Sequence, residues 1–515
     1  MSRFSPFPFH IAISGGGPAG LTLANLLLAK GVPASHLRVY ELEASFDARR
    51  WAGGTLDLHP GSGQRGLKEA GLLQRFFELG RVAGEEVRAV SHTGQVAWEH
   101  APFVGMTQEE ISKVNAEEHN PEIDRGDLRA MLLEGIAKRI GKDEEVVVWG
   151  KKLSSVEPRT AAAQTPADLP FHTLHFADGS KAKANIVVGA DGIWSKVRRL
   201  LSEAEPVYNG VTWAESLLVP RIVQDEDGPR WRLLQNDAEG FVDSLVGAGL
   251  CFSVGGTEVL VIQRNNPSAE TRDYLANLRA AGQEIPRGDA GLCRIHTMVR
   301  QPYDWIDANK TQVPQEEDDV QTSLNKVASL LPEDKWDARL RSILLQGDVN
   351  HKPVLRRFMI TPLDVAGGID FNQDDSKTGI VVIGDARLAI SPFAGEGVNK
   401  AMADSADLCD ALLSVSSTLQ SQGGQTNASH VLQTALREFH ERILPRNQEA
   451  AEISEFNARM FLPSAKEGKS TDPKEVLQQL SASFASRGPP PDDAGNPDGE
   501  AKKAAFQWSK DGIRQ

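Results

Sequence analysis

The spacing of apolar residues changes twice near the start of the chain. Residues 10–14 form a short apolar run typical of a buried strand, residues 18–30 have the apolar spacing of a helix that ends at Gly31, and residues 37–41 form a second strand-like run. A strand, a helix and a second strand in this order predict a βαβ unit with parallel strands.

Further along, segments of α/β character alternate with a region of a different pattern. Helix-like spacing and apolar strand-like runs occur at 69–79, 127–140 (capped by Asp124 or Asp127), 186–188, 331–345, 380–383 and 398–413. Between residues 208 and 263 the pattern changes to short alternating runs that are rich in aromatic and β-branched residues and bounded by glycines. This pattern predicts a mainly antiparallel sheet inserted into an α/β domain.

The chain has 515 residues, which is long enough for two domains and a tail. We expect a discontinuous nucleotide-binding domain, a substrate domain inserted into it, and a helical region at residues 416–465. The nucleotide-binding domain is predicted at 8–80, 107–205 and 350–415, and the substrate domain at 81–106 and 206–349. Residues 466–515, rich in Lys, Ser, Pro, Asp and Gly, are predicted to be a disordered tail, in which 473–484 could form a short docking helix.

Composition narrows the possible partners. A formal charge of −14 disfavours nucleic acid, whose phosphates need basic patches. The three cysteines, Cys251, Cys293 and Cys409, are far apart and suggest neither a disulfide framework nor a zinc site, so we expect the reducing cytoplasm and no metal. We find no secretory signal and no apolar stretch long enough to span a bilayer, and therefore expect no transmembrane segment.

Residues 15–20 read Gly-Gly-Gly-Pro-Ala-Gly and lie between the first predicted strand and helix. Such a loop suits a dinucleotide, because glycines permit the tight turn, the approach of the pyrophosphate and close helix packing, while the helix N-terminus attracts anions. The candidate cofactor residues here are Gly15, Gly17, Ala19 and Gly20. Glu41, at the end of the next strand, can accept hydrogen bonds from ribose hydroxyls. The alternative is a glycine-rich turn without a ligand.

Two later segments have similar settings. Residues 188–198 read Val-Gly-Ala-Asp-Gly-Ile-Trp-Ser-Lys-Val-Arg, and we expect them to follow a strand and begin a helix. Residues 383–386 read Ile-Gly-Asp-Ala, and residues 392–399 read Pro-Phe-Ala-Gly-Glu-Gly-Val-Asn before another helix. A second glycine-rich fingerprint is absent, which disfavours a reductase with two dinucleotide domains.

Together with the N-terminal loop, these segments resemble the signature segments of the class A flavoprotein monooxygenases, the aromatic-ring hydroxylases. Residues 53–59 (Gly-Gly-Thr-Leu-Asp-Leu-His) and 123–129 (Ile-Asp-Arg-Gly-Asp-Leu-Arg) are similar to the branch that inactivates tetracyclines. The resemblance extends over about residues 8–205 and 350–415. It implies an α/β fold with a Rossmann-like FAD-binding domain of the GR2 type, an inserted, mainly antiparallel substrate domain and C-terminal helices.

The resemblance also implies cofactor roles for individual residues. It assigns Arg125 to FAD, Arg50 to NADPH, Asp57 to the neighbourhood of the flavin, and Asp191 to both FAD and NADPH. Arg50 could instead be an ordinary loop arginine, and Asp191 could be a buried turn residue; Arg129 could be an ordinary surface residue.

The last two segments suit the flavin itself. Asp385 is placed to accept a ribityl hydroxyl, although a helix N-cap is the alternative. The helix start could offer N–H groups to a flavin carbonyl or phosphate, and its candidate residues are Gly395, Gly397, Val398 and Asn399.

The activity implied by the resemblance is a monooxygenase reaction. NADPH reduces FAD, O₂ adds to flavin C4a, and the hydroperoxide transfers one oxygen atom to the substrate, so no side chain is assigned as a catalytic residue. We expect hydroxylation or epoxidation of a phenolic, polyketide or alkaloid-like molecule in secondary metabolism or xenobiotic modification, by a monomer or weak homodimer. Glu215 and Phe393 are the candidate substrate contacts, although Glu215 could simply face solvent.

Several residues depart from the family pattern. Glu396 replaces the usual glutamine, Arg387 and Leu388 replace alanine and histidine, and residues 247–250 lack the arginine expected of a tetracycline binder. Tetracycline is therefore not expected to be the natural substrate. A flavin-dependent halogenase, whose tryptophan-rich segment is missing, and a non-catalytic flavoprotein are the competing hypotheses. His10, His59 and His351 are interpreted as surface histidines or as histidines with satisfied hydrogen bonds.

Overall fold

In this computed structural model the described residues are 7–49, 53–159, 169–237, 239–362, 375–422, 426–464 and 471–487. Their strands, in chain order, are β1 Ile11–Ser14, β2 Leu37–Tyr40, β3 Thr55–Asp57, β4 Val87–Ser91, β5 Val96–His100, β6 Glu122–Asp124, β7 Val147–Val148, β8 Leu153–Glu157, β9 His172–Phe176, β10 Lys181–Ala184, β11 Ile186–Gly189, β12 Val207–Leu218, β13 Arg221–Asp225, β14 Gly228–Arg232, β15 Leu250–Val254, β16 Glu258–Arg264, β17 Cys293–Arg300, β18 Arg356–Ile360 and β19 Ile380–Val382.

The α-helices, in chain order, are α1 Pro18–Ala29, α2 Gly63–Glu69, α3 Leu73–Leu79, α4 Gln108–Ile111, α5 Arg125–Ala137, α6 Phe241–Val246, α7 Ala269–Ala280, α8 Trp305–Ala308, α9 Val320–Ala328, α10 Ala338–Leu345, α11 Asp385–Leu388, α12 Gly397–Gln422, α13 Ala428–Phe461 and α14 Pro473–Arg487. The chain divides into two compact units. Unit 1 is Met1–Gly80, Arg125–Val207 and Met359–Glu455, and unit 2 is Arg81–Asp124, Tyr208–Phe358 and Phe456–Gln515.

Unit 1 is built on a parallel sheet of five strands in the order β19-β11-β1-β2-β7. The strands β1, β11 and β19 are buried on both sides, as expected for a parallel sheet that helices cover on both faces. Helix α1 packs against α12, α5 and α2. A second sheet of three antiparallel strands, β10-β9-β8, belongs to the same unit. The predicted βαβ start and the Rossmann-like domain are therefore confirmed.

Unit 2 contains a sheet of seven strands in the order β18-β12-β17-β16-β15-β4-β5. Strands β12, β17, β16 and β15 pair antiparallel, while β4 joins β15 in parallel. One face of the sheet is in the hydrophobic core, where Ala214, Leu260 and Ile295 pack with residues of α6, α9 and α10. Because side chains alternate along a strand, the intervening residues of β12 and β17 project from the opposite face. The predicted mainly antiparallel domain is confirmed.

The predicted domain limits differ from the observed units. Residues 107–124 and 350–358, expected in the nucleotide-binding domain, belong to unit 2, and residues 416–455 belong to unit 1. Long-range contacts explain these shifts. Glu122 pairs with Arg81, and Phe358 stacks on Trp213, both within unit 2. In unit 1, Arg446 of α13 bonds to the buried Asp404.

Several predicted helix limits were also wrong. The segment 69–79 is divided between α2 and α3 by Gly71, whose φ of +68° no helix interior accepts. The segment 331–345 becomes helical only at Ala338, after Asp337 caps α10. The segment 188–198 does not begin an α-helix, and instead leads into a short 3-10 helix at Arg198–Leu200.

The predicted disordered tail begins too early. Residues Pro473–Arg487 form α14, which packs against β4, β5 and β15 of unit 2 and buries Val476, Leu477 and Leu480. Residues 488–515 lie outside the described part of the chain. A search of the described helices found none that combines the length and apolar character needed to cross a membrane.

Truncating a buried side chain of α14 tests its packing. Leu480 is 2% exposed, so Leu480→Ala should lower the free energy of unfolding of unit 2 by about 2–5 kcal/mol through lost contacts and a cavity. Urea unfolding followed by circular dichroism measures this change. The control is Gln479→Ala, at an exposed neighbouring position of the same helix. Equal midpoints for the two variants would contradict the packing of α14 on the sheet.

Candidate functional site

Four strands of the parallel sheet end in one row. Ser14 of β1 pairs with Tyr40 of β2 and with Gly189 of β11, and Gly189 pairs with Val382 of β19. Each strand end leads directly into one of the predicted motifs: the glycine-rich loop at 15–20, Glu41, Asp191 and Asp385. The strand order reverses at β1, and ligands of open parallel sheets bind beside the carboxyl ends of the strands at such a point.

Two glycines of the first loop are required by the protein's own packing. Gly15 has a φ of +110°, and a Cβ atom there would overlap the carbonyl oxygen of Ala190 in the loop after β11. A Cβ atom at Gly20 would overlap the carbonyl oxygen of Gly15. These two glycines therefore bring α1, β1 and the loop after β11 into close contact.

Two other glycines, Gly17 and Gly397, are not required by the packing of the protein itself. Gly17, the N-cap of α1, has ordinary extended angles, and a Cβ atom there would meet nothing within 4 Å; the same is true of Gly397, the first residue of α12. Both positions leave open space at a helix N-terminus, where N–H groups and the helix dipole favour anions. The open space fits the phosphates and polar edge of FAD, and Ala19 and Val398 lie in the first turns of the same helices.

Glu41 holds the first loop through one carboxylate oxygen and its own turn through the other. The Gly16 N–H donates to Oε2 at 2.6 Å, and the Glu43 N–H donates to Oε1 at 3.0 Å. Arg129 Nη2 lies 3.3 Å from Oε2, and Arg129 Nε donates to the Gly16 carbonyl at 2.9 Å. Arg129 is thus part of the loop's support rather than an ordinary surface residue. Its place one helical turn after Arg125 was the sequence signal for this role.

Arg125 and Arg50 are the two other arginines that are candidates for cofactor binding. Arg125 is the first residue of α5, and its N–H donates to the Gly54 carbonyl at 3.3 Å. A Cβ atom on Gly53, whose φ is +89°, would lie 2.6 Å from Arg125 Nε, so the two segments touch closely. Arg50 lies outside the described residues.

Asn399 has a structural use that the sequence did not reveal. Its buried Oδ1 accepts hydrogen bonds from the N–H groups of His59 at 2.9 Å and Gly63 at 3.2 Å, and its Nδ2 donates to the Asp57 carbonyl at 2.9 Å. This side chain fixes the loop after β3 to the first turn of α12. Only the backbone of Asn399 is left for a cofactor.

His59 lies between two carboxylates. Its Nε2 is 2.9 Å from Asp57 Oδ2, and its Nδ1 is 3.4 Å from Glu396 Oε1. Burial alone would lower the pKa of His59, but hydrogen bonds and charge interactions with Asp57 and Glu396 outweigh it and raise the pKa to about 10. Gly395, with a φ of +70°, passes close to the same Asp57 carboxylate. Of the two interpretations of His59, a surface histidine or one with satisfied hydrogen bonds, this pairing agrees with the second.

Asp191 and Arg198 stabilise the loop after β11. Burial raises the pKa of Asp191, and bonds from Ser195 and the Lys196 N–H oppose this shift. Arg198 is fully buried and donates to the carbonyls of Ile193 at 2.6 Å and Ala386 at 3.2 Å. Arg198 therefore ties the loop after β11 to the one after β19.

Asp385 is exposed at the first turn of α11, and within the described part of the chain its carboxylate has no hydrogen-bond partner. A solvent-facing acceptor at this strand end is what a ribityl hydroxyl would need. Phe393 is partly buried in the 3-10 helix Pro392–Ala394 of the same unit.

Several charged side chains are buried in unit 1, in α11 and α12, the helices that follow β19. Lys400 is fully buried and donates to the Leu388 carbonyl at 2.9 Å, and Arg387 lies 2.8 Å from His440. Burial lowers the pKa of Lys400. It also lowers the pKa of Arg387 to about 10 and the pKa of His440 to about 4. The negative charge of the buried Asp404 opposes the shifts of Lys400 and Arg387. The substitution of Arg387 for the usual alanine therefore places a second cation beside Lys400.

In unit 2, Glu215 belongs to a cluster on the sheet face opposite the core. Its Oε1 accepts a hydrogen bond from Arg294 Nη1 at 2.9 Å and lies 3.7 Å from His351 Nε2. Glu215 pairs in register with His296, whose pKa burial lowers to about 4. The alternative of a simple solvent-facing residue at Glu215 does not hold, because the side chain is 18% exposed and ion-paired.

Aromatic rings adjoin this cluster. Trp213, two residues before Glu215, stacks on Phe358 with a centroid distance of 5.1 Å and lies 5.5 Å from the His296 ring. The guanidinium carbon of Arg356 lies over the Trp213 ring, 5.9 Å from its centre. Glu215, Arg294, Trp213, His296 and Phe358 therefore form a polar and aromatic surface, called here the Glu215 cluster.

Searches of the described residues found no group of side chains suited to hold a metal ion, and no family model matches the chain. Known proteins do match. The chain is 28% identical to monooxygenase asqM of Emericella nidulans over 87% of this chain and 94% of that protein, and 28% identical to monooxygenase penA of Penicillium thymicola over 89% and 96%. It is 30% identical to 6-hydroxynicotinate 3-monooxygenase of Pseudomonas fluorescens over 39% and 45%.

Solved structures share the fold. Klebsiella pneumoniae HpxO complexed with FAD and uric acid matches with a TM-score of 0.59 and 16% identity, over 92% of this chain and 93% of that one. The tetracycline destructase Tet(51) matches with a TM-score of 0.53 and 14% identity, over 92% and 96%.

Two glycines of the same loop allow a matched test of the cofactor site. Gly17→Ala adds a methyl group to open space, so it should leave the stability of the cofactor-free protein unchanged while weakening FAD binding at least about tenfold, or 1.4 kcal/mol. Gly20→Ala overlaps a backbone carbonyl and should destabilise the protein itself by about 1–3 kcal/mol.

Thermal unfolding of the cofactor-free variants and fluorescence titration with FAD separate the two effects. Normal FAD affinity in Gly17→Ala would show that the open space at the start of α1 is not the phosphate site.

Proposed function

We propose that this chain, an FAD-dependent monooxygenase with the class A fold, uses NADPH and O₂ to hydroxylate or epoxidise a small aromatic or polyketide-like or alkaloid-like molecule. The observation that carries the proposal is the convergence of four motifs at one edge of the parallel sheet. Two monooxygenases resemble the chain over nearly their whole length, which supports the same assignment.

In this proposal the residues at the strand ends hold the cofactor. The first turn of α1, entered through Gly15 and Gly17, receives the pyrophosphate, and Glu41 accepts hydrogen bonds from the ribose. Asp385 accepts from the ribityl chain. Arg125 and Asp191 complete the FAD contacts, and Arg50 serves NADPH.

The flavin end is assigned to the start of α12. Backbone N–H groups at Gly397, Val398 and Asn399 would be offered to the electronegative edge of the ring. The Gly395 N–H already donates to the Pro392 carbonyl at 3.0 Å, so Gly395 would contribute through its close backbone approach, with Asp57 nearby. FAD, when bound, would accept electrons from NADPH and activate O₂. The chain's own contribution is to place the ring, to offer N–H groups where negative charge develops, and to exclude water from the reacting atoms.

The Glu215 cluster is the proposed substrate surface. It offers a carboxylate acceptor beside stacked aromatic rings, which suits a planar ring that carries a hydroxyl or N–H donor. The named substrates of several relatives are compounds of this kind, among them 6-hydroxynicotinate. Phe393, in the 3-10 helix Pro392–Ala394, is a separate proposed substrate contact. The substrate is accordingly assigned to aromatic compounds of secondary metabolism or xenobiotic modification.

The state of the cysteines bears on the cellular compartment. All three cysteines are buried free thiols, which agrees with a reducing compartment and supports the cytoplasm. We assign the active form to a monomer or weak homodimer that binds O₂ and a small-molecule substrate.

The decisive experiment measures flavin, NADPH and product together. The purified protein should carry FAD, oxidise NADPH faster when an aromatic substrate is present, and yield a product that gains one oxygen atom from ¹⁸O₂. A flavin-loaded protein that never oxidises NADPH would be a binding protein instead. Halide-dependent product formation would identify a halogenase.

The substrate surface can be tested by removing one charge. Glu215→Gln removes the carboxylate charge that would accept from the substrate, and a charge-assisted hydrogen bond is worth about 1.5–3 kcal/mol. It also weakens the pairing with the buried Arg294. We therefore expect KM for an accepted aromatic substrate to rise about tenfold or more, with an unchanged flavin spectrum. Steady-state NADPH oxidation measures this change.

Glu258→Gln is the matched control, because Glu258 lies in the same sheet and pairs with Lys335 at 3.1 Å. Its neighbours in β16, Leu260 and Ile262, are on the core face, and alternation places Glu258 on that face too. If both variants raised KM equally, the Glu215 cluster would not be the substrate surface.

A further inference from the structure

The loop after β3 and the segment before α12 are joined by a charged group of three side chains. His59 lies between Asp57, at the end of β3, and Glu396, the residue before α12. The distances are 2.9 Å from Nε2 to Asp57 Oδ2 and 3.4 Å from Nδ1 to Glu396 Oε1. All three side chains are partly exposed, at 28%, 41% and 36% in the order His59, Asp57 and Glu396.

The geometry itself indicates the charge of the ring. Each ring nitrogen faces a carboxylate oxygen, which can only accept a hydrogen bond. A neutral imidazole has one N–H, so its other nitrogen would present a lone pair to a carboxylate. The imidazolium form satisfies both carboxylates, which agrees with the raised pKa of this group.

The backbone that carries the ring is also held in place. The backbone N–H of His59 donates to the buried Oδ1 of Asn399, in the first turn of α12. The same oxygen accepts from the Gly63 N–H, so the loop cannot shift without losing two bonds. His59 is therefore fixed relative to the start of α12.

Glu396 occupies a position where a carboxylate competes with a ligand. It immediately precedes α12, a helix of 26 residues whose N-terminus attracts negative charge. The usual glutamine at this position carries no charge. Gly397 leaves open space at this N-terminus, and an unrestrained Glu396 side chain could turn toward it.

We propose that His59 is a positioning residue that, by bridging Asp57 and Glu396, keeps both carboxylates away from the first turn of α12 and leaves that helix N-terminus to the flavin. This inference rests on the proposed function. The three groups together carry a net charge of −1, and the loss of His59 would make it −2. Reduction adds negative charge to the flavin, so the extra carboxylate charge disfavours the reduced form more than the oxidised form.

His59→Gln in the full-length, flavin-loaded protein tests the inference. Glutamine keeps one hydrogen bond but supplies no charge. The ratio of affinities for reduced and oxidised flavin should fall about tenfold, which corresponds to a two-electron midpoint potential lower by about 30 mV. Spectroelectrochemical titration measures the potential directly and needs no substrate.

A second variant separates charge from simple loss of packing. His59→Gln combined with Glu396→Gln removes the cation and one carboxylate together, so the potential should return close to the wild-type value. The matched control is His175→Gln, which removes a histidine paired with Glu157 at 3.2 Å on the three-stranded sheet of the same unit. It should leave the potential unchanged.

The FAD content of the wild-type protein and the flavin potential of the variants test separate properties. A wild-type protein that binds no FAD would overturn the proposed function and this inference with it. An unchanged potential in flavin-loaded His59→Gln, or a double variant that stays as low as the single one, would overturn the role of His59 alone.

Discussion

The parallel pairing of β1 with β2 on one side and β11 on the other is the constraint on which the rest of the site depends. The hydrogen-bonded register aligns Ser14, Tyr40 and Gly189, and β19 extends the same row through Val382. Because all four strands run in one direction, the four loops that follow them must emerge at one edge. A shift of register would move these loops along the sheet and also turn each strand's side chains to the other face.

Glycines make this edge compact, and buried polar groups make it rigid. Gly15 and Gly20 let backbone approach backbone, while Arg198 reaches the carbonyl of Ala386 across neighbouring loops. Asn399 satisfies the N–H groups of a loop that otherwise has no sheet to pair with. Removing such a group would leave buried donors unpaired, which costs more than the bond itself contributes. The site is therefore preorganised by hydrogen bonds that belong to the protein alone.

Charged side chains of the site are likewise paired with nearby groups of opposite charge. The carboxylate of Glu41 is matched by Arg129, that of Glu396 by His59, and the buried Lys400 by Asp404. In unit 2, Glu215 and Arg294 form another such pair beside aromatic rings. Departures from the family pattern at Glu396 and Arg387 thus come with charged neighbours. The net charge of −14 does not reveal these pairings, since each depends on which side chains are brought together.

The sequence by itself determined the elements and motifs that depend on near neighbours. Apolar periodicity gave the βαβ start, the antiparallel character of unit 2 and the strand before Asp385, because side chains close in sequence share a face of a helix or strand. The glycine-rich loop was recognisable because its turn and its helix start are local. Helix limits near Gly71 and Asp337 were less well predicted, since a single residue decides where a helix ends or begins.

Only the tertiary structure decided the pairings between distant segments. His59 pairs with Glu396, Glu215 pairs with Arg294, and α14 packs against strands of the seven-stranded sheet. Such contacts depend on sheet order and on the packing of helices, and no short stretch of sequence encodes either. The candidate residues were thus visible in the sequence, but the partners that fix their charge and position were not.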